Sequence, residues 1–470
     1  MEKSLVVPGY VYETYKTIVK SGFEAFIVGG SVRDVLMGRT AKDWDITTNA
    51  TPEQVQSLFV ETFYENAFGT VGIPCEANMP DGETRNVVVE VTTYRSESEY
   101  SDFRRPGKIE WGKTLEEDLE RRDFTINAIT LKIENLDLEI VDFGVVLESG
   151  DYKIIDPYGG LVDLQSRIIK TVGVAEARFH EDALRMMRAI RFFAQLDFAI
   201  DETAISAIQE KSNNIIYISG ERIRDELWKI LSSDRAYEGI IMLDNVGLLK
   251  FILPELMGGK EMAQKGHHVY DVFTHSVNAL KYCPSKNPVV KLAALLHDIG
   301  KSITADGEGE ARTFYNHDIV GGKMVSQIAT RLRLSKKDKE KLYILIRYHM
   351  FSVDTIQTDA AIRRFIVKVG LENINDMIDV RIGDRLGSGT KTAKGWRLVE
   401  FKKRIEELLM PTFTVKDLVV DGRDVMRILN IPPGPKIGII LSQLFDEVLE
   451  DIEKNNVGYL ERRVKELGKV

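Results

Sequence analysis

Residues 26–48 read FIVGGSVRDVLMGRTAKDWDITT, a spacing that could do phosphate chemistry. Residues 25–28 form a short apolar run that reads as a strand and ends in Gly29 and Gly30. A helical segment follows from Ser31, with Arg33 and Asp34 in its first turn. Strand, paired glycines and helix N-terminus make an anion cradle, because the backbone can approach closely and free N–H groups point at the ligand. Asp43, Asp45 and Thr48 are expected on the next strand. Asp43 and Asp45 stand at i and i+2, so they share a face. Two carboxylates there suit divalent metal held against a triphosphate. A tight turn beside a solvated acidic strand is the plain alternative; the two signals in this order and this close favour the cradle.

Glu90 lies inside the β-branched run 85–94, flanked by Val87, Val88, Val89 and Val91. A carboxylate in such a run needs a partner. A metal shared with Asp43 and Asp45 would supply one, and a solvent-facing edge strand is the alternative. Residues 96–118 are polar and too long for an ordinary connection, so a functional loop is expected there, with Arg104 and Arg105 at its middle. In LERRDFTINA, Arg121 and Arg122 can bind phosphate, while Asp123 and Asn127 can hydrogen-bond a ribose or a base edge.

The elements that position these residues follow from pattern. Residues 11–22 read as a helix, 51–63 as a helix opened by Thr51 and Pro52, and 71–77 as a strand. Asp156-Pro157-Tyr158-Gly159-Gly160 marks a turn and the passage from an α/β head to an all-helical remainder. The stretch HEDALRMMRAIRFF, 180–193, reads as one helix with Leu184, Met187 and Ile190 as its apolar stripe. Asp182, Arg185, Arg188 and Arg191 recur every third residue, a series that drifts about 60° per step. An acceptor beside a fork of donors can imitate the Watson–Crick edge of a base. From this helix alone, a solvated salt-bridged face is the plainer reading. Residues 220–231 read as a charged amphipathic helix and 242–256 as an apolar one.

Of the seven histidines, six fall between His267 and His349. His275, the His297-Asp298 pair closing LAALLHDIGK, His317, His349 and Asp384 each fall in a helical stretch. Imidazoles and carboxylates converging from separate helices make a nitrogen and oxygen site for one divalent metal or two. A helical scaffold that no longer binds metal is the alternative. Near the C-terminus a Pro-Gly-rich element, 431–438, precedes a helix, and Arg462, Arg463 and Lys465 suit either a phosphate backbone or a wet helix face.

A chain of 470 residues exceeds one core, and length alone suggests about three or four domains. No apolar stretch reaches the roughly 18 residues a membrane helix needs, and the N-terminus lacks a signal-peptide layout. Cys75 and Cys283 match no zinc or redox spacing, so a reducing cytoplasm is expected. The net charge of -9 argues against a coat of non-specific nucleic-acid contacts, though not against a local basic groove.

The motifs GGSVRD, DWDITT, EVTTYR, RRDFTINA, DPYGGLVDLQSRIIKTVG and EDALRMMRAIRF span about residues 27–200. In this order they resemble class II nucleotidyltransferases: tRNA nucleotidyltransferases (CCA-adding enzymes) and bacterial poly(A) polymerases. The histidine cluster resembles the HD metal-dependent phosphohydrolase domain fused to some of these enzymes, and PPGPKIG resembles the C-terminal segment of CCA-adding enzymes. The resemblance implies an α+β fold: a nucleotidyltransferase palm with a mixed sheet at 1–150, then an elongated all-helical remainder. That remainder would comprise a neck with the base-template helix at 151–212, an RNA-binding body at 213–265, an HD domain at 266–400 and a helical tail at 401–470.

It also implies roles. Asp43 and Asp45 would bind two catalytic magnesium ions, with Glu90 the third acid. Gly30 and Arg33 would contact the triphosphate, and Arg122, Asp123 and Asn127 would hold phosphate, ribose and base edge. Asp182 and Arg185 would read the incoming base, with Arg188 and Arg191 adding nucleotide contacts. The loop around Arg104 and Arg105 would let the enzyme switch to adding A. His275, His297, Asp298 and Asp384, with His317 and His349, would hold divalent metal. The implied reaction is addition of C, C and A to the tRNA 3′ end from CTP and ATP. An A-adding enzyme or poly(A) polymerase is the alternative within the class, and an HD-type phosphohydrolase the alternative outside it.

Overall fold

The computed structural model describes residues 4–41, 43–65, 69–78, 82–100, 106–264, 269–307, 311–351, 358–389, 396–408 and 415–469. Arg104 and Arg105 lie outside the described residues. The chain forms two compact units, 1–252 and 253–470.

The first unit is built on a mixed sheet of seven described strands. Its order is Tyr152–Ile155, Thr130–Ile133, Ala25–Val28, Trp44–Thr48, Thr84–Thr93, Thr70–Asn78 and Phe63–Glu65. Trp44–Thr48 pairs parallel with Thr84–Thr93, and the other pairings are antiparallel. One face buries Val11, Tyr15, Ile27, Ile46, Val71, Val89, Val91 and Leu131 in a shared core. Each such side chain removed from water contributes about 1.5–3 kcal/mol. The other face is only partly covered, by a smaller cluster of Phe26, Val28, Tyr94, Leu115 and Leu119. That leaves open the strand positions where the acids stand.

The helix opened by Thr51 is capped as its sequence requires. Thr51 and Gln54 bond reciprocally, with Pro52 at the first position. It ends at Leu58, short of the expected 63. Phe63 instead begins a strand and lays its ring over Gly72, where a Cβ would come within 2.2 Å of it. The turn at Asp156 forms as expected: its carboxylate accepts from the Gly160 and Leu161 N–H groups, opening the Gly160–Ser166 helix. Beyond it the described residues are mostly helical, with a short strand Ile168–Ile169 paired with Ala199–Ile200 and isolated bridges at Thr171 and between Asp306 and Thr313. The expected helix at 242–256 is three pieces, because Gly247 adopts a positive φ of 76° and Pro254 opens a new helix.

The second unit is helical among its described residues. Val272–Tyr282 lies against Ile374–Gly387 at close range. A Cβ at Gly383 would sit 2.4 Å from the Ala279 carbonyl oxygen, and one at Gly387 would sit 2.7 Å from the Ala279 nitrogen. The glycines flanking Asp384 therefore permit the approach. Gly300 does the same for His317, whose carbonyl oxygen would lie 2.1 Å from a Cβ there. Residues 415–469 pack Gly422–Leu429, Pro435–Glu450 and Val457–Leu467 around Val425, Leu444, Val448, Leu460 and Val464. No helix among the described residues is long and apolar enough to cross a membrane. Both cysteines are free thiols.

Candidate active site

Asp45 and Glu90 are register partners on adjacent parallel strands, so their side chains leave the sheet on the same face. Asp43 stands one residue before the Trp44–Thr48 strand rather than on it. Burial raises the Asp45 carboxyl above its ordinary value; the Arg122 charge opposes this and the Asp43 charge adds to it. The three acids do not close into a group with donor atoms within 4.8 Å of one another.

Gly29 is the hinge of the cradle. With φ 87° and ψ -144°, it caps the Gly30–Leu36 helix. A Cβ there would lie 3.2 Å from an Asp45 carboxylate oxygen and 3.4 Å from the Arg122 guanidinium. Gly29→Ala is therefore expected to cost about 1–3 kcal/mol in backbone strain and to raise KM for nucleotide at least about tenfold. Melting temperature and CTP kinetics check this, and an unchanged KM would refute the cradle.

Arg122 is held from behind by Asp118, which accepts from Arg121 at 2.6 Å and Arg122 at 3.2 Å. Burial would raise the Asp118 carboxyl, but the Arg122 and Arg121 charges outweigh it and hold it below the usual range. Asp123 is buried and accepts from Arg188 at 2.6 Å, from Asn127 at 3.0 Å and from the Phe124 N–H at 2.9 Å. Arg33 donates to the Asn127 amide oxygen at 2.8 Å. Arg33, Asn127, Asp123 and Arg188 thus form one chain of hydrogen bonds. Against burial, Arg188, Asn127 and Arg185 keep Asp123 ionised well below the carboxylate range. The Phe192 ring lies under Arg33, Arg188 and Arg191, with guanidinium carbons 5.1, 5.7 and 4.2 Å from its centroid. Arg191 pairs with buried Glu226 at 3.1 Å. Burial and the neighbouring Arg188 charge bring Arg191 down to about 10, with Glu226 opposing.

The expected single helix at 180–193 is broken at its most informative residue. Ala175–Glu181 ends, Asp182 is extended at φ -141° and ψ 104°, and Leu184–Leu196 begins. The Asp182 carboxylate accepts from the Leu184 N–H at 3.0 Å, the capping chemistry in which Asp excels. Asp182 therefore stands off the helix that carries Arg185, although Leu184, Met187 and Ile190 are buried as predicted. Asp182 also accepts two bonds from Arg222, at 3.3 and 2.7 Å. Arg185 donates to Glu181 and to the Arg178 and Arg121 carbonyl oxygens, the latter at 2.7 Å.

In the second unit the histidines converge. The His275 and His297 Nε2 atoms are 3.1 Å apart, and those of His317 and His349 are 3.3 Å apart. One Asp298 oxygen faces the first pair at 3.3 Å; the other lies 3.3 and 3.6 Å from the second. Asp384 stands 3.3 Å from His275 and 3.5 Å from His297. The Nδ1 atoms of His297, His317 and His349 lie 2.7–2.8 Å from the carbonyl oxygens three residues earlier. Nδ1–H donation there leaves each Nε2 lone pair aimed at the common centre, the arrangement of metal-ligating imidazoles. Two ligand groups result, His275–His297–Asp298 and Asp298–His317–His349. An adjoining cleft of about 630 Å³ is lined by Lys301, Arg312, Tyr315, Arg381 and Arg385.

Comparisons with known proteins show the family. Residues 25–170 match the family described as Poly A polymerase head domain, 197–258 the probable RNA and SrmB-binding site of polymerase A, and 267–386 the HD domain. A CCA-adding enzyme from Geobacillus sp. (strain WCH70) is 31% identical over 437 residues, covering 91% of this chain and 89% of that one. The chain belongs to the tRNA nucleotidyltransferase and poly(A) polymerase family. It is a nucleotidyltransferase. An A-adding tRNA nucleotidyltransferase from Deinococcus radiodurans is 30% identical over 434 residues, covering 89% and 90%. The crystal structure of the Bacillus stearothermophilus CCA-adding enzyme in complex with CTP matches with a TM-score of 0.68 at 25% identity, covering 98% and 97%.

Asp118, Glu181, Phe192, Arg222 and Glu226 escaped the sequence reading. Asp118 carried a signal, lying three and four residues before Arg121 and Arg122. Arg222 and Glu226 lie one turn apart in a helix read only as amphipathic, and nothing local names their partners. Arg463, one of the candidate phosphate contacts of the tail, is bridged to Glu447 at 2.9 Å.

The histidine cluster predicts a pH signature. Burial alone would lower His297, but Asp298 and Asp384 raise it to about 10. In metal-free protein that stabilisation is complete below the ordinary histidine value near 6.5 and is lost as pH climbs through about 10. A bound cation replaces the proton, so the loaded protein should not share this loss. Thermal melts with manganese and with chelator at pH 7, 8.5 and 10 should therefore diverge as pH rises. Parallel curves would refute the coupling.

Proposed function

We propose that the chain adds C, C and A to the 3′ end of tRNA from CTP and ATP, releasing pyrophosphate. The observation that carries this reading is the Asp45–Glu90 register pair beside the Gly29–Gly30 cradle, in a chain of this family.

All-oxygen donors fit magnesium, and because burial raises the Asp45 carboxyl, a cation beside it would favour the charged form that binds metal. Asp43, Asp45 and Glu90 would hold two ions, which supply charge neutralisation and a lower pKa for the primer hydroxyl. The 3′-oxygen attacks the α-phosphorus, the bond to the bridging oxygen breaks, and pyrophosphate leaves in line. This chain's contribution is position and charge. Gly30 and its helix N-terminus take phosphate oxygens, and Arg33 and Arg122 neutralise the triphosphate. Asp123 and Asn127 hold the sugar side, with Arg188 and Arg191 completing the wall. Asp182 accepts from the exocyclic amine and Arg185 donates to the adjacent ring nitrogen. C and A share that pattern; U and G present its reverse. Each good bidentate contact contributes about 1–3 kcal/mol of discrimination.

Addition of A alone is the other reading within the family. The test is tRNA lacking its last three, two or one nucleotides, incubated with CTP or ATP separately and then sequenced. Failure to incorporate any C overturns CCA addition and leaves A addition standing.

The histidine cluster favours a second activity, a metal-dependent phosphohydrolase acting on nucleotides or RNA ends. His275, His297, Asp298 and Asp384 would hold one divalent ion, and Asp298, His317 and His349 a second. Lys301, Arg312, Arg381 and Arg385 beside them suit a phosphorylated substrate.

A further inference from the structure

Side chains can replace a nucleic-acid template only if they are held still. A carboxylate that rotates offers its acceptors to any donor in reach. The structure shows what restrains Asp182. Its two oxygens take the two ends of the Arg222 guanidinium, at 3.3 and 2.7 Å, and one also takes the Leu184 N–H at 3.0 Å. A fork-to-fork pair fixes the carboxylate plane as well as its charge. Arg222 belongs to the Gly220–Leu231 helix, and Glu226, one turn later on the same helix, grips Arg191. One helix thus holds the base-reading segment at two points, Asp182 at its start and Arg191 two turns on.

We infer that Arg222 is a positioning residue for base selection, acting through Asp182. The pairing leaves the outer lone pairs of the Asp182 carboxylate for the amine of C or A, and denies the carboxylate the rotation that would accommodate U or G. This rests on the base-reading role given above to Asp182 and Arg185.

The test is single-nucleotide extension of tRNA lacking its last three residues, with CTP, ATP, UTP and GTP separately. Wild type is compared with R222A, R222K and D182A, each checked by circular dichroism melting. R222A should raise U incorporation relative to C at least tenfold while its CTP kcat falls by less. R222K should recover part of the selectivity, since an ammonium restores the charge but not the fork. If R222A does not accumulate folded, R222Q reads the same ratio. An unchanged ratio in R222A (or R222Q) beside a raised one in D182A overturns the positioning role and leaves base reading intact. An unchanged ratio in both overturns the two together.

Discussion

Asp45→Asn should reduce incorporation from CTP and ATP alike by at least about a thousandfold. The substitution keeps shape and removes an acid on which the charges of both Arg122 and Asp43 act. Burial already makes its charge costly, so the amide should not destabilise the fold, and the melting temperature should stay within a few degrees. Single-turnover extension with each nucleotide reads the loss. The loss should be indifferent to which base is offered, because the role proposed for Asp45 is toward phosphate and metal, and that proposed for Asp182 is toward the base. A variant retaining a tenth of wild-type incorporation would mean that the chemistry lies elsewhere in the chain.

Asp298→Ala is expected to have the largest effect in the second unit and none on nucleotide addition. Asp298 belongs to both ligand groups, with one oxygen toward each histidine pair. Its removal should empty both positions, and four buried imidazoles should then lose their common anion. Elemental analysis should show bound divalent metal falling to background, and hydrolysis of nucleotide phosphoesters should disappear with it. Asp45→Asn and Asp298→Ala should thus dissociate two activities. Loss of CCA addition in Asp298→Ala with metal still bound would contradict the separation.

The parts of this site that were legible in sequence are those set by neighbours in the chain. Gly29 and Gly30 announce a close backbone approach, which Gly29 makes, whereas the strand face expected to carry both Asp43 and Asp45 carries only Asp45, because the strand begins at Trp44. The pairing of Asp45 with Glu90 was not legible, because strand order depends on contacts across 45 residues. The break at Asp182 was missed for a specific reason. Glu181-Asp182 can continue a helix or stop one and cap the next, and periodicity cannot separate these when the apolar stripe begins at Leu184. Arg222 and Glu226 were visible as charges on a helix, but which charges they meet is decided by tertiary packing. In the second unit, the glycines beside Asp384 and after Asp298 look like ordinary helix-weakening residues. Only the packed helices show that they admit the backbone contacts bringing six ligands together.

The central claim is that protein side chains, with no nucleic-acid template, choose C and then A at one palm site. The most direct measurement offers tRNA lacking its last three nucleotides to the enzyme with all four nucleoside triphosphates present in equal amounts. Sequencing of the 3′ ends then reads the choice at each step. The account predicts ends finishing in CCA, with U and G rare at every position. Ends carrying U or G as often as C or A, or runs of A without C, would contradict it.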